Sequence, residues 1–110
     1  MKRASSGARL ASVTRVLDPE GAHAAAARRL VSFDGRRVLE VGAGEGRLTF
    51  ALAGETRSWL ATEPRAESVE VARRTMPRAL ERTVRFAVAG GAEAPGSPGE
   101  FDLVFFSWSL

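Results

Sequence analysis

Three glycines at alternate positions, set directly behind a short apolar run that carries an acid, constrain this chain more than any other feature. The segment is Val38-Leu39-Glu40-Val41-Gly42-Ala43-Gly44-Glu45-Gly46-Arg47-Leu48-Thr49. It reads as a buried strand, a tight turn and the start of an amphipathic helix, an arrangement that brings a nucleotide-like ligand against bare backbone. Glycine suits such a turn because a side chain would block the ligand and because positive φ is often required there. The spacing is Gly-x-Gly-x-Gly. The third glycine of the dinucleotide fingerprint would fall at position 47, which is Arg47. A P-loop is excluded too, since no Gly-Lys-Ser/Thr follows. Without a cradle for pyrophosphate, the pattern fits a ligand that joins adenosine to a cationic or zwitterionic tail.

Composition narrows the remaining classes. A length of 110 residues allows one domain at most, and 45% hydrophobic with 26% charged residues is a globular composition. The net charge of +3 could suggest nucleic acid. Lys2 is the sole lysine, however, and no dense basic block follows position 3, so the arginine excess reads as chain-wide compositional bias and gives no strong nucleic-acid signal. With no cysteine there is no disulfide, thiolate nucleophile or cysteine-based zinc site, and with His23 as the sole histidine there is no histidine metal cluster. No metal site is expected. No apolar run reaches membrane-spanning length. A cytoplasmic protein is the default expectation, and residues 1–17 read as a poorly ordered basic extension.

Along the chain, Asp18-Pro19-Glu20 is a helix start, and the helix is expected to run through the alanine-rich stretch to about residue 30 or 31. His23 falls on it, read as solvent-facing. Asp34-Gly35 is a turn signal, followed by a strand over 36–41. A helix opening in the glycine turn should carry Leu48, Ala51 and Leu52 inward and end near Gly54. A second strand over 58–62 is stopped by Pro64. A helix over 65–76 has Val69, Ala72 and Met76 on one face and Pro77 as its stop. A third strand spans 84–89, and 90–99 is a glycine- and proline-rich loop. A fourth strand over 101–107 has the continuous apolar centre of a strand covered on both faces. Strands alternating with helices give an α/β fold with a parallel sheet and right-handed crossovers.

Several chemistry-bearing positions follow in order. Glu63 lies at the end of the second strand, 17 residues after Gly46, where an acid can accept hydrogen bonds from ribose hydroxyls, as in dinucleotide folds. Gly91-Ala92-Glu93-Ala94-Pro95 sits in the loop after the third strand, and Phe101-Asp102-Leu103-Val104 opens the fourth. Together with Glu40, Gly42, Gly44 and Gly46, these motifs resemble the class I S-adenosylmethionine-dependent methyltransferases, whose first motif reads acidic-x-Gly-x-Gly-x-Gly. The resemblance covers roughly residues 18–110.

The resemblance implies a Rossmann-like three-layer αβα domain over 18–110, incomplete, with about four of the family's seven strands, and S-adenosylmethionine as cofactor. It implies cofactor contacts at Glu40 (through the ligand's ammonium, or as a brace for the loop), Gly42, Ala43, Gly44 and Gly46. Glu63 would meet the ribose and Pro64 the adenine face. Gly91 replaces the family's adenine-binding aspartate, so the Ala92 backbone N–H and Glu93 are the remaining candidates there. Ser107 ends the fourth strand, where the methyl group should face its acceptor. Asp102 reads as structural. No catalytic residue is assigned, because an activated sulfonium needs alignment more than a base. Ser107-Trp108-Ser109-Leu110 lacks the Asn/Asp-Pro-Pro-aromatic pattern of enzymes acting on base amino groups, and the missing cysteine closes the covalent route to cytosine carbon 5. A small-molecule acceptor is expected. The strand order should be 3-2-1-4, which leaves residues 103–106 as an apolar edge open to self-association. Two other readings stay open: an inactive cofactor-binding fragment or degenerate relative, and a nicotinamide-dependent oxidoreductase.

Overall fold

A computed structural model of the chain describes residues 14–17, 32–90 and 99–108. Five parallel strands form one sheet: β1 (Thr14–Leu17), β2 (Arg37–Val41), β3 (Ser58–Glu63), β4 (Val84–Val88) and β5 (Leu103–Trp108), in the order β1-β5-β2-β3-β4. Two α-helices are described, α1 (Arg47–Leu52) and α2 (Ala66–Thr75), with short 3-10 turns at Ala53–Glu55 and Arg78–Leu80. The helix expected over 18–31, with His23, lies outside the described residues.

The four strands read from the sequence take the anticipated relative order. The first 17 residues do not behave as expected throughout. Thr14–Leu17 pairs in parallel with β5, with Thr14 opposite Phe105 and Leu17 opposite Trp108. The flank of β5 that was expected to be an uncovered edge is therefore occupied by β1. Four residues, two polar followed by two apolar, carry no alternation and were too short a pattern to register as a strand without their partner.

Register and alternation decide which side chains make the core. Val38 lies opposite Trp59, Trp59 opposite Val84, and Val38 opposite Leu103 on its other side, so these residues share one face. All four are essentially buried. Leu48 and Leu52 of α1 and Val69 and Ala72 of α2 pack onto that same cluster, as their spacing requires. Phe33, in the turn before β2, stacks on Trp59 with ring centroids 5.8 Å apart. One position departs from expectation: Thr49 is buried in α1 while Ala51 is only half-buried. Hydrophobicity alone could not have placed Thr49 inside, because it is held there by a hydrogen bond to Glu40. The α2 helix ends as Pro77 demands, with Met76 already extended.

At the amino ends of the strands, Asp102 and Arg37 lock β5 to β2. The Arg37 Nε–H donates to Asp102 Oδ2 (3.0 Å), the Arg37 Nη2 to Oδ1 (2.9 Å), and the Arg37 backbone N–H to Oδ2 (2.9 Å). In return the Asp102 N–H donates to the Arg37 carbonyl (2.8 Å). The bonded guanidinium, outweighing partial burial, pulls the Asp102 carboxyl down from 3.8 to about 2. Asp102 is structural, as the sequence suggests.

Candidate functional site

The chain runs from β2 outward through β3 to β4 and then returns to place β5 on the other flank of β2. The strand order therefore reverses between β2 and β5, and in open parallel sheets ligands bind at the carboxyl ends of the strands beside such a switch point. The glycine turn lies there. Gly42, Gly44 and Gly46 have φ of 86°, 61° and 93°, a region that side chains disfavour.

Close approach also requires glycine at two of these positions, and the approaching group belongs to the chain. A Cβ on Gly42 would lie 2.3 Å from the Ser107 carbonyl oxygen, and one on Gly46 would lie 2.8 Å from the Phe50 ring and 3.1 Å from Phe86. The glycines thus let β5 and the aromatic pair Phe50–Phe86 press against the turn. The turn's amides are turned inward as well. The Gly42 and Ala43 N–H groups both donate to the Thr62 carbonyl (2.9 Å each), and the Gly46 N–H donates to the Ala43 carbonyl (3.1 Å). The Gly44 N–H donates to Glu63 Oε1 (2.8 Å).

Glu40 is fully buried. Its carboxylate accepts hydrogen bonds from the Thr49 hydroxyl of α1, the Trp59 Nε1–H of β3 (2.9 Å) and the Ser107 hydroxyl of β5. Three elements are thereby fastened to the end of β2 by one side chain. Burial pushes its pKa up, and the Glu63 charge adds to this, while the three hydrogen bonds oppose the rise only in part. Of the two roles expected for Glu40, the geometry displays the bracing one. Its reach toward the loop surface runs through Ser107, whose Oγ also lies 3.3 Å from the Gly42 carbonyl.

Glu63 is the last residue of β3 and is buried. Its Oε1 accepts from the Gly44 N–H. Its Oε2 accepts from the Arg65 backbone N–H (3.1 Å) and the Arg65 Nε–H (2.8 Å). Burial pushes the carboxyl up, but these bonds and the Arg65 charge outweigh it and hold it below its ordinary value. Glu63 is therefore an ionised acceptor fixed between the glycine turn and the start of α2. Its carbonyl also accepts the Ala89 N–H (3.1 Å), which ties in the loop after β4. Pro64 beside it is exposed.

The structure thus gathers Glu40, Gly42, Ala43, Gly44, Gly46, Glu63, Pro64 and Ser107 around the carboxyl ends of β2, β3 and β5. Gly91, Ala92 and Glu93 lie outside the described residues. Among the described residues no group of three metal-ligating side chains occurs, and no helix is long and apolar enough to cross a membrane. Sequence reasoning did not anticipate Thr49, Trp59 or Arg65. For Arg65 a signal existed: an arginine stands at the cap position of α2, where Ser, Thr, Asp or Asn would be usual.

The methyltransferase domain family matches residues 38–110, and the chain belongs to that family. Three solved structures share the fold. One is the YcgJ protein of Bacillus subtilis, at 23% identity over 76% of this chain and 36% of its own, with a TM-score of 0.65. A Bacillus halodurans protein described as a methyltransferase gives 21%, 78%, 38% and 0.68. A Listeria monocytogenes protein described as S-adenosylmethionine-dependent gives 19%, 79%, 40% and 0.63. The chain thus has a class I methyltransferase fold and spans less than half the length of each of these structures. No curated protein matches it.

Proposed function

We propose that this chain binds S-adenosylmethionine at the carboxyl ends of β2 and β3 and serves methyl transfer to a small-molecule acceptor. The observation that carries the reading is the pairing of the glycine turn. Its Gly42, Ala43, Gly44 and Gly46 amides are hydrogen-bonded within the chain, so they form no open nest for a pyrophosphate. The same turn lies against an ionised, buried Glu63 that suits a ribose hydroxyl. Adenosine without a diphosphate fits that donor and acceptor set, and a nicotinamide dinucleotide fits it poorly.

S-adenosylmethionine supplies a methyl group already activated on a sulfonium sulfur. The residues of this chain bind and align. Glu63 accepts from the ribose, Pro64 offers an apolar surface to the base, and Gly42, Ala43, Gly44 and Gly46 form the floor of the turn. Glu40 holds that turn against β5 through Ser107. On the motif resemblance, Gly91, Ala92 and Glu93 complete the adenine side.

Isothermal titration with S-adenosylhomocysteine, in competition with NAD, tests the assignment. Binding of S-adenosylhomocysteine and none of NAD is the expected result. The reverse result returns the chain to the oxidoreductase reading. A tight adenosyl complex with no turnover on any acceptor identifies a cofactor-binding piece without its own activity.

A further inference from the structure

A carboxylate offers about four lone-pair positions, two on each oxygen. Three of those on Glu63 are taken within the chain, by the Gly44 N–H on Oε1 and by the Arg65 N–H and Nε–H on Oε2. One is left, on Oε1. Adjacent ribose hydroxyls that meet both oxygens of a carboxylate need one open position on each. Oε2 has none while Arg65 is in place.

The position of Arg65 argues that this contact is the purpose of the side chain. It is the N-cap residue of α2, yet it gives no side-chain cap bond to the helix. Arginine is not a capping residue, and a cation at the positive end of a helix is unfavourable. Helix formation therefore gives no reason for arginine here. Its guanidinium instead folds back onto Glu63 while the side chain stays 60% exposed, and the charges of Glu67 and Glu45 favour the cation from the helix and the glycine turn.

We propose that Arg65 sets the ribose selectivity of the site, by occupying Oε2 so that Glu63 accepts from only one of two adjacent hydroxyls. The inference rests on the reading of this site as one for an adenosyl ligand. It makes Arg65 a specificity-determining residue. The site with Arg65 in place depends on one ribose hydroxyl and is indifferent to its neighbour. Removing the side chain opens Oε2 and makes both hydroxyls count.

The test titrates the full chain and its Arg65→Ala variant with S-adenosylhomocysteine and with its 2′-deoxy and 3′-deoxy analogues. For the wild type, one deoxy analogue should bind within about twofold of the parent and the other about tenfold more weakly, the usual effect of one lost hydrogen bond to a charged group. For Arg65→Ala, both analogues should fall about fivefold or more below the parent. In parallel, the Arg65 Nε–H resonance of the wild type should keep its hydrogen-bonded position as S-adenosylhomocysteine is added. Equal losses for both analogues in the wild type, unchanged ratios in the variant, or release of the Nε–H by the ligand would each overturn the inference while leaving the adenosyl site standing. Absence of binding by all three compounds overturns the site assignment and the inference with it.

Discussion

An arginine grips a carboxylate at each end of the strands, and the two grips begin alike. At the amino end, Asp102 Oδ2 takes both the backbone N–H and the Nε–H of Arg37. At the carboxyl end, Glu63 Oε2 takes the same two groups of Arg65. The second oxygen separates them. At the amino end it goes to the Nη2 of the same arginine, so the pair closes on itself. At the carboxyl end it goes to the Gly44 N–H, so the carboxylate belongs to the glycine turn as much as to its arginine. Burial follows the same division: the Asp102 side chain is 30% exposed and Glu63 only 4%. The amino end joins two strands, whereas the carboxyl end holds an ionised acceptor ready beside a loop.

If that division is right, glycines at the two ends should differ most in what a side chain costs. Gly35, in the turn before β2, has φ 68° and open space around it. Gly35→Ala should cost about 1–2 kcal/mol, from backbone strain alone. Gly42→Val should cost about 3–5 kcal/mol, because strain is joined by a collision with the Ser107 carbonyl that neither backbone can relieve. Urea unfolding measures both. Equal losses would mean that β5 does not press on the turn.

The next effect concerns Glu40, whose donors carry no charge. Glu40→Ala leaves the Trp59 N–H and two hydroxyls without their acceptor and should cost about 2–4 kcal/mol, with Glu40→Gln roughly half as severe. The pH dependence has a definite sign. The folded-state pKa is raised above the ordinary 4.5, so the contribution of this group is complete below 4.5 and is lost as pH rises through the raised value. The margin of the wild type over Glu40→Gln should therefore shrink upward in pH. A margin that grows with pH would show that the three hydrogen bonds outweigh burial.

These contacts also mark what could be read before the fold was known. The glycine spacing, the acids at 40 and 63 and the apolar strands were legible, because each is a local pattern with a local cause. Trp59, Thr49 and Ser107 converge on Glu40 from three elements, and no local pattern announces a buried carboxylate's donors. Thr14–Leu17 was missed for a related reason: a strand of four residues is specified by its neighbour β5 more than by its own sequence. The purpose of Gly42 was only half legible. Its positive φ followed from the motif, but the close approach comes from β5, far away in the sequence.

Smaller effects belong to the two arginine pairs. The Asp102 carboxyl is lowered from 3.8 to about 2, so its contribution is present above 3.8 and is lost as pH falls toward 2. Asp102→Asn should cost about 1–2 kcal/mol at neutral pH, after discounting for solvent at this half-exposed pair, and should remove that acid step from the unfolding profile.

Arg65→Ala should have the smallest effect on folding, a lower midpoint shift than Asp102→Asn gives. The reason lies in how Glu63 is held. Losing the Nε–H leaves two backbone N–H groups on the carboxylate, one on each oxygen, so the side chain keeps its place and its link to Gly44. Asp102, by contrast, loses two of its three bonds when the Arg37 side chain is removed. What Arg65→Ala should change is titration. The Glu63 carboxyl is held below its ordinary value partly by Arg65, so its contribution, present above 4.5 and lost as pH falls through the lowered value, should begin to fail at a higher pH in the variant. Following the Glu63 carboxyl carbon by NMR through an acid titration measures this directly. If the Glu63 titration does not move upward, the two backbone groups alone fix its charge. If Arg65→Ala instead unfolds the chain as readily as Asp102→Asn does, the pair at the carboxyl end is a structural clamp like the one at the amino end, and the distinction between the two ends fails.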